Sequence, residues 1–151
     1  MAATTKTRLA KIETGLELCW WCKFTVAQDQ AFYAALRAQG VQRYQPKPGE
    51  ARMERCNTCG RQVELISVPE LQAEAAALRA LEETARSEGR KPSREDWQAF
   101  VTHFENVMDF NRRIYGAEVF DKAITETAWP DYLDCLREAM EQAPSREERT
   151  P

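Results

Sequence analysis

Two C-x-x-C pairs, CWWC at Cys19 and Cys22 and CNTC at Cys56 and Cys59, constrain this 151-residue chain more than any other feature. Zinc is bound by four thiolates in a tetrahedron, and each C-x-x-C turn supplies two of them. Gly60 follows the second pair and can adopt the positive φ that such a turn needs. The sequence therefore predicts one Zn²⁺ ion, and four thiolates indicate a structural site because catalytic zinc keeps one position open for water.

Other chemistry is open to these sulfurs, namely a redox or disulfide role or an iron site. A redox C-x-x-C of the thioredoxin type begins a helix within a βαβ unit, and the sequence shows no such alternation. Lys23 stands where a second knuckle would have glycine, so Cys22 either closes a weaker knuckle or begins an element of different geometry. The fifth cysteine, Cys135, is predicted to lie on the last helix and to pack in the hydrophobic core of the protein.

Charge divides the chain into two unlike halves. Residues 1–66 hold ten Lys and Arg against six Asp and Glu, which gives +4, and residues 67–151 hold eleven against eighteen, which gives −7. No apolar run approaches the ~20 residues that a membrane helix needs, and the N-terminus lacks the apolar core of a secretion signal. We therefore expect a cytoplasmic protein with no membrane partner.

Periodicity predicts the remaining elements. The segment LELCWWCKFTV is predicted to be extended, with a short helix from about Asp29 to Gln39 and a hairpin around the second cysteine pair. Helices are predicted from Pro69 to the residue before Gly89 and from Arg94 to Tyr115, the latter opened by Ser93 and Asp96 as a capping box. Two shorter helices follow, over AEVFDKAITETA and from Pro130.

The predicted fold class is α+β, mostly α: a four-cysteine zinc ribbon or treble-clef-like module followed by an acidic bundle of about four helices. The predicted segments are a flexible N-terminus at 1–15, a zinc-binding module at 16–66, a helical bundle at 67–142 and a flexible tail at 143–151. Removal of zinc is expected to unfold the module and to leave much of the helix.

The stretch CWWCKFTVAQDQAFYAALRAQG, followed by RCNTCG, resembles the small prokaryotic zinc-ribbon or treble-clef domain. In that family a C-x-x-C is followed by Phe-Thr, by a Gln-x-Phe-Tyr segment and by a second C-x-x-C after arginine. The likeness covers about Leu18 to Arg61. It supports the metal and implies no settled activity. The matching positions are Cys19, Cys22, Phe24, Thr25, Gln30, Phe32, Tyr33, Arg55, Cys56 and Cys59.

A set of tryptophans and basic residues in the first half is predicted to contact a partner or nucleic acid, since tryptophan stacks on bases and arginine binds phosphate. These residues are Trp20, Trp21, Lys23, Arg43, Arg52, Arg55 and Arg61. The alternative for the tryptophans is that both shield the metal site and the hydrophobic core. The alternative for the basic residues is that they are ordinary solvated surface charges. His103 is predicted to be a packing residue.

No catalytic constellation is present, so the sequence predicts a non-enzymatic regulator or adaptor with no small-molecule substrate. Its expected partner is another protein, a nucleic-acid enzyme in particular, with nucleic acid as a second ligand. One alternative is an inhibitor whose acidic helical face occupies a basic nucleic-acid-binding groove, as small phage proteins do. The other is a thiol-dependent redox enzyme that uses Cys19 and Cys22.

Overall fold

The computed structural model describes residues 17–149, and the predicted flexible N-terminus at 1–15 lies outside them. The described part is mostly helical with one small sheet, which confirms the predicted class of α+β with mostly helix. The elements are α1 (Trp20–Ala38), β1 (Ala51–Arg55), β2 (Gln62–Ile66), α2 (Pro69–Ser87), α3 (Arg94–Tyr115), α4 (Ala117–Ile124), α5 (Trp129–Gln142) and a short 3₁₀ helix (Glu147–Arg149).

Helix α1 begins nine residues earlier than the sequence predicts, so the predicted extended segment around the first cysteine pair is wrong. Cys19 is the N-cap, and its sulfur accepts the backbone N–H of Cys22 at 3.5 Å. Cysteine thus does the work that serine or aspartate does at most helix starts. The β-favouring residues Trp, Phe, Thr and Val lose only a few tenths of a kcal/mol each in a helix, and tertiary packing readily exceeds that loss.

The hairpin and the later helices agree with the sequence. Strands β1 and β2 pair antiparallel, with Met53 opposite Glu64 at the centre of the ladder. Ser93 and Asp96 form the predicted capping box at the start of α3, where the Ser93 hydroxyl accepts the Asp96 N–H and the Asp96 carboxylate accepts the Ser93 N–H. Four helices, α2 to α5, lie between residues 67 and 142 as expected.

The core consists of two clusters that meet at Met108 of α3. In one, Phe32 and Leu36 of α1 pack against Phe120 and Ala123 of α4. In the other, a valine of α3 packs against two leucines of α5, at positions Val101, Leu133 and Leu136. The first cluster joins the segment predicted as the metal module to the segment predicted as the bundle, whose boundary at residue 66 stays a prediction.

The end of the described chain is fastened to the start of α3. The Arg94 N–H donates to the Pro144 carbonyl at 3.0 Å, and the Arg146 guanidinium pairs with buried Asp96 at 2.9 Å. These contacts lie within the predicted tail at 143–151. None of the helices in residues 17–149 is long and apolar enough to span a membrane.

Candidate metal centre

The four cysteines of the two C-x-x-C pairs converge at one point, where the first turn of α1 meets the turn of the hairpin. Their sulfurs all lie within 4.8 Å of one another. Cys19 Sγ lies 3.8 Å from Cys56 Sγ, and Cys22 Sγ lies 3.5 Å from Cys59 Sγ. None of these four cysteines, nor Cys135, forms a disulfide in the structure.

These distances fit a tetrahedral ion. With a zinc–sulfur bond of about 2.3 Å, two sulfurs at the corners of a tetrahedron lie about 3.8 Å apart. A disulfide would need sulfurs about 2.05 Å apart. The separations of 3.8 and 3.5 Å across the pairs therefore place the sulfurs where one metal ion could be held. Cys22 is buried, and the other three cysteines are partly covered, so the centre is a closed site at the protein surface.

The hairpin turn holds its cysteines with backbone amides. The N–H groups of Cys59 and Thr58 point at the Cys56 sulfur, and the resulting hydrogen bonds lower the pKa of the Cys56 thiol. The Cys59 sulfur accepts the N–H groups of Cys19 and Arg61, which lower its pKa to about 6. Gly60 has a φ of 76° and its N–H donates to the Cys56 carbonyl, which closes the turn. This is the strong knuckle that the C-N-T-C-G sequence predicts.

The helix turn holds its cysteines differently, which explains the absence of glycine after Cys22. Since Cys22 already lies in α1, Lys23 continues the helix with ordinary backbone angles and no positive φ is needed. The positive end of the helix dipole favours thiolates at Cys19 and Cys22. Burial, with further hydrogen bonds from neighbouring thiols, nevertheless raises the pKa of Cys22 to about 12. A cation among the four sulfurs would offset that cost, because metal ligands bind as thiolates.

The two tryptophans between the cysteines face different surroundings. The Trp21 ring packs against α5, with its centroid 6.1 Å from that of Trp129 and 5.2 Å from that of Tyr132. Trp20 is 72% exposed and stacks on Phe24 at 5.6 Å. Trp21 therefore links the first cysteine pair to α5, and Trp20 lies on the surface beside it.

The sequence did not predict the aromatic cluster that receives Trp21. Phe24 lies one turn after it on α1, and Trp129 and Tyr132 lie in the first turn of α5, in contact with Phe104 of α3. The spacing of Trp21, Phe24 and Gln28 is that of one helix face, and Gln28 Oε1 accepts the Ala128 N–H at 2.7 Å. This helical spacing was the sequence signal for the aromatic face of α1. It was outweighed in the prediction by the β-propensity of the same residues.

The basic residues predicted to contact a partner lie in three places. Lys23 is exposed on the first turn of α1, and the Arg61 guanidinium donates to Thr25 Oγ1 of the same helix at 3.5 Å. Arg43 stacks over the Tyr33 ring at 4.8 Å, near the other end of α1. Arg52 pairs with Glu54 within β1, and Arg55 is exposed at the end of that strand. Trp20 and Lys23 thus flank the first cysteine pair on α1, Arg61 follows the second pair and contacts Thr25, and their role in contact stays a prediction.

The structure contradicts the prediction for Cys135 and agrees with the prediction that His103 is a packing residue. Cys135 is exposed on α5, so its predicted place in the core is wrong. His103 is partly buried between α2 and α3, where its Nδ1 lies 2.9 Å from Glu74 Oε1 and Asn106 donates to the other oxygen of Glu74. It bridges two helices and is part of their packing.

No known protein family matches this chain, and neither curated proteins nor solved structures include a significant match. The resemblance to the small zinc-ribbon domain therefore stays a prediction that rests on the cysteine pattern. What the chain does has to be argued from its own geometry.

Proposed function

We propose that the chain is a non-enzymatic adaptor or regulator of nucleic-acid machinery, built on a structural Zn²⁺ centre of the zinc-ribbon or treble-clef-like kind. The observation that carries the proposal is the closed set of four sulfurs within 4.8 Å, with an exposed tryptophan directly after the first of them. A site with four protein ligands leaves no position for a substrate or a reactive water. The role of such a site is structural: it holds the residues around it in fixed positions.

Zinc is the metal that suits this donor set. Four thiolates form a soft tetrahedral site, which in proteins holds zinc or iron, and each cysteine here comes from a turn or cap that fixes its sulfur. The centre would hold the first turn of α1 against the hairpin. That in turn would fix the positions of Trp20 and Lys23, which lie at the first cysteine pair, and of Arg61, which lies two residues after Cys59.

The surface around the centre suits a nucleic-acid or protein ligand. An exposed indole offers a face on which a base can stack, and interface hot spots are rich in tryptophan and arginine. Arg43 and Arg52 have ring or carboxylate partners of their own, so the contact would fall mainly to Trp20, Lys23, Arg55 and Arg61. The excess of acidic residues in the second half would suit a basic surface on the partner protein.

Metal content tests the first half of the proposal. Protein purified under reducing conditions should contain one zinc per chain, and cobalt substitution should produce the absorption bands of tetrahedral thiolate coordination. Cys59→Ser should abolish both signals. Cys135→Ser is the matched control and should retain both signals, because Cys135 is exposed on α5 and lies outside the one group of possible metal ligands found among residues 17–149. Wild-type protein without bound metal, or with a bound iron–sulfur cluster, would overturn this half.

Binding of labelled single-stranded DNA and RNA over a range of salt concentrations tests the second half. Trp20→Ala should weaken binding by about tenfold, because stacking of one base contributes about 1–3 kcal/mol. Lys23→Glu should also reduce the salt dependence, and Lys122→Glu on α4 is its matched control, with the same change of charge at another exposed lysine. Equal affinity in all three variants, or no binding by the wild type, would refute direct nucleic-acid contact.

A further inference from the structure

Within the part of the chain that the structure describes, the sheet has two strands and no third strand pairs with either edge. The Cys56 N–H donates to the Arg61 carbonyl, and the Ser67 N–H donates to the Glu50 carbonyl. In this register the even-numbered residues of β1 therefore direct their backbone N–H and C=O groups toward β2. In an antiparallel ladder the alternate residues direct N–H and C=O to the opposite side. On β1 these outward residues are Ala51, Met53 and Arg55, and on β2 they are Gln62, Glu64 and Ile66.

The outward edge of β1 has no partner among residues 17–149. Neither a side chain nor a backbone group in this part of the chain is hydrogen-bonded to the outward N–H and C=O groups of Ala51, Met53 or Arg55. The Met53 side chain is 59% exposed at the middle of this edge. Open edges are ready templates for a further strand, and proteins usually protect them with proline, with bulges or with inward-pointing charges.

The sequence of β1, ARMER, is complementary to itself in the antiparallel direction. A twofold axis at Met53 places each methionine opposite its copy and Arg55 opposite Ala51. On the other face it places Arg52 opposite Glu54 of the second copy, and Glu54 opposite the second Arg52. Opposite charges across a strand pair are favourable, and all the outward backbone groups find partners in this register.

We propose that β1 pairs with β1 of a second copy of this chain to form a continuous four-stranded sheet across a twofold axis. Each of the outward residue pairs exchanges two N–H···O=C bonds, so the junction holds about six of them. The two exposed methionines cover each other at the axis. This inference is independent of the proposed function.

The outward edge of β2 is less suited to pairing with a second copy. A twofold axis at the centre of β2 would place Glu64 opposite its own copy, and like charges directly opposite each other destabilise a strand pair. Pairing of β1 with β2 of a second copy would repeat the pairing of the hairpin, in which Arg52 lies opposite Leu65 and Glu54 opposite Val63. It would also generate an open chain of molecules in place of a closed dimer.

Arg52 supplies an independent observation on the face that packs toward α2. It pairs with Glu54, which is also bound by Arg79, yet its buried Nε has no hydrogen-bond partner among residues 17–149. A buried donor without a partner carries a cost that a nearby acceptor removes. In the proposed dimer the carboxylate of Glu54 from the second copy lies across the strand pair from this guanidinium.

The first experiment removes one outward donor from each edge. Because the Met53 N–H points away from β2, Met53→Pro takes no bond from the hairpin, and proline is tolerated at such an edge position. Glu64→Pro is the matched control on β2. Sedimentation and native mass spectrometry of the full-length metal-loaded protein should show a dimer for the wild type and for Glu64→Pro, and a monomer for Met53→Pro.

The second experiment uses the charges and does not depend on proline. Arg52→Glu alone places two glutamates opposite each other, and Glu54→Arg alone places two arginines opposite each other, so each variant should be monomeric. Their mixture restores opposite charges at both positions and should yield a heterodimer, which native mass spectrometry resolves by mass. A monomeric wild type at concentrations on the order of 1 mM overturns the proposal, since such a contact would be too weak to matter. A dimer that persists in Met53→Pro, or a mixture without heterodimer, also overturns it.

Discussion

At Asp96, burial and charge act on the same carboxylate in opposite directions. Its side chain is 3% exposed at the start of α3. Burial acts to raise its pKa, but hydrogen bonds from the Ser93 backbone and hydroxyl and the pairing with Arg146 outweigh burial and lower it. The carboxylate thereby joins the helix cap to the end of the chain. The sequence predicted the capping box, and it gave no sign that Arg146, 50 residues away, completes it.

Asp96→Asn should destabilise the fold by about 1–3 kcal/mol near neutral pH, because a carboxylate that accepts several buried hydrogen bonds is replaced by a neutral amide. The folded pKa lies below the ordinary value of 3.8, so this stability is fully present above that pH and is lost as pH falls through the folded pKa. Urea unfolding at several pH values checks this. The difference from wild type should shrink in acid, and Asp131→Asn, at an exposed position in the first turn of α5, should show a much smaller difference. A difference that does not change with pH would contradict this account.

At the scale of elements, the knuckle depends on backbone conformation at one glycine. A methyl group added at Gly60 would meet no atom within 4 Å, so only its φ of 76° opposes a side chain there. Gly60→Ala should therefore weaken metal binding by about 1–2 kcal/mol, or about tenfold in affinity. Competition with a colourimetric chelator measures this. Gly60→Asn is the control, because asparagine tolerates this conformation, and it should lose less. Equal losses would show that the side chain itself disturbs the site.

Local sequence pattern is enough to predict most of the helices and strands, whereas the start of α1 depends on tertiary contacts. The hairpin is marked by alternation on either side of C-N-T-C-G, and α3 by its cap and its apolar face, so both could be predicted. The start of α1 could not, because strand-favouring residues there are held in a helix by rings on α5 and by the Cys19 cap. The four cysteines that could hold a metal ion were predicted from spacing alone. Their division between a helix turn and a hairpin turn required the fold.

At the scale of the whole molecule, α1 connects the metal centre to the helical core. Its first turn carries Cys19 and Cys22, and its later turns place Phe32 and Leu36 in the cluster with α4. Among residues 17–149, neither strand of the hairpin contributes to the two apolar clusters. The hairpin is linked to α2 by the pairing of Glu54 with Arg79 and by Gln72, which donates to the Gly49 and Ser67 carbonyls, and its turn lies against α1 at the sulfurs. The two ends of α1 should therefore respond differently to loss of metal. This revises the sequence-based expectation that residues 16–66 unfold as one unit.

Chelation should increase hydrogen exchange in β1, β2 and the first two turns of α1, and should leave exchange slow from about Phe32 onward and in α3 to α5. The reason is that metal binding energy contributes to folding only where the metal is the anchor. Exchange measured by mass spectrometry on loaded and chelated protein tests this. Leu36→Ala supplies the contrast: it removes a side chain that is 1% exposed, should cost about 2–5 kcal/mol, and should let the whole of α1 exchange once the metal is removed. Chelation of the wild type that leaves β1 and β2 protected would show that the sulfurs do not hold the hairpin. Global unfolding on chelation would show that the metal supports the bundle as well.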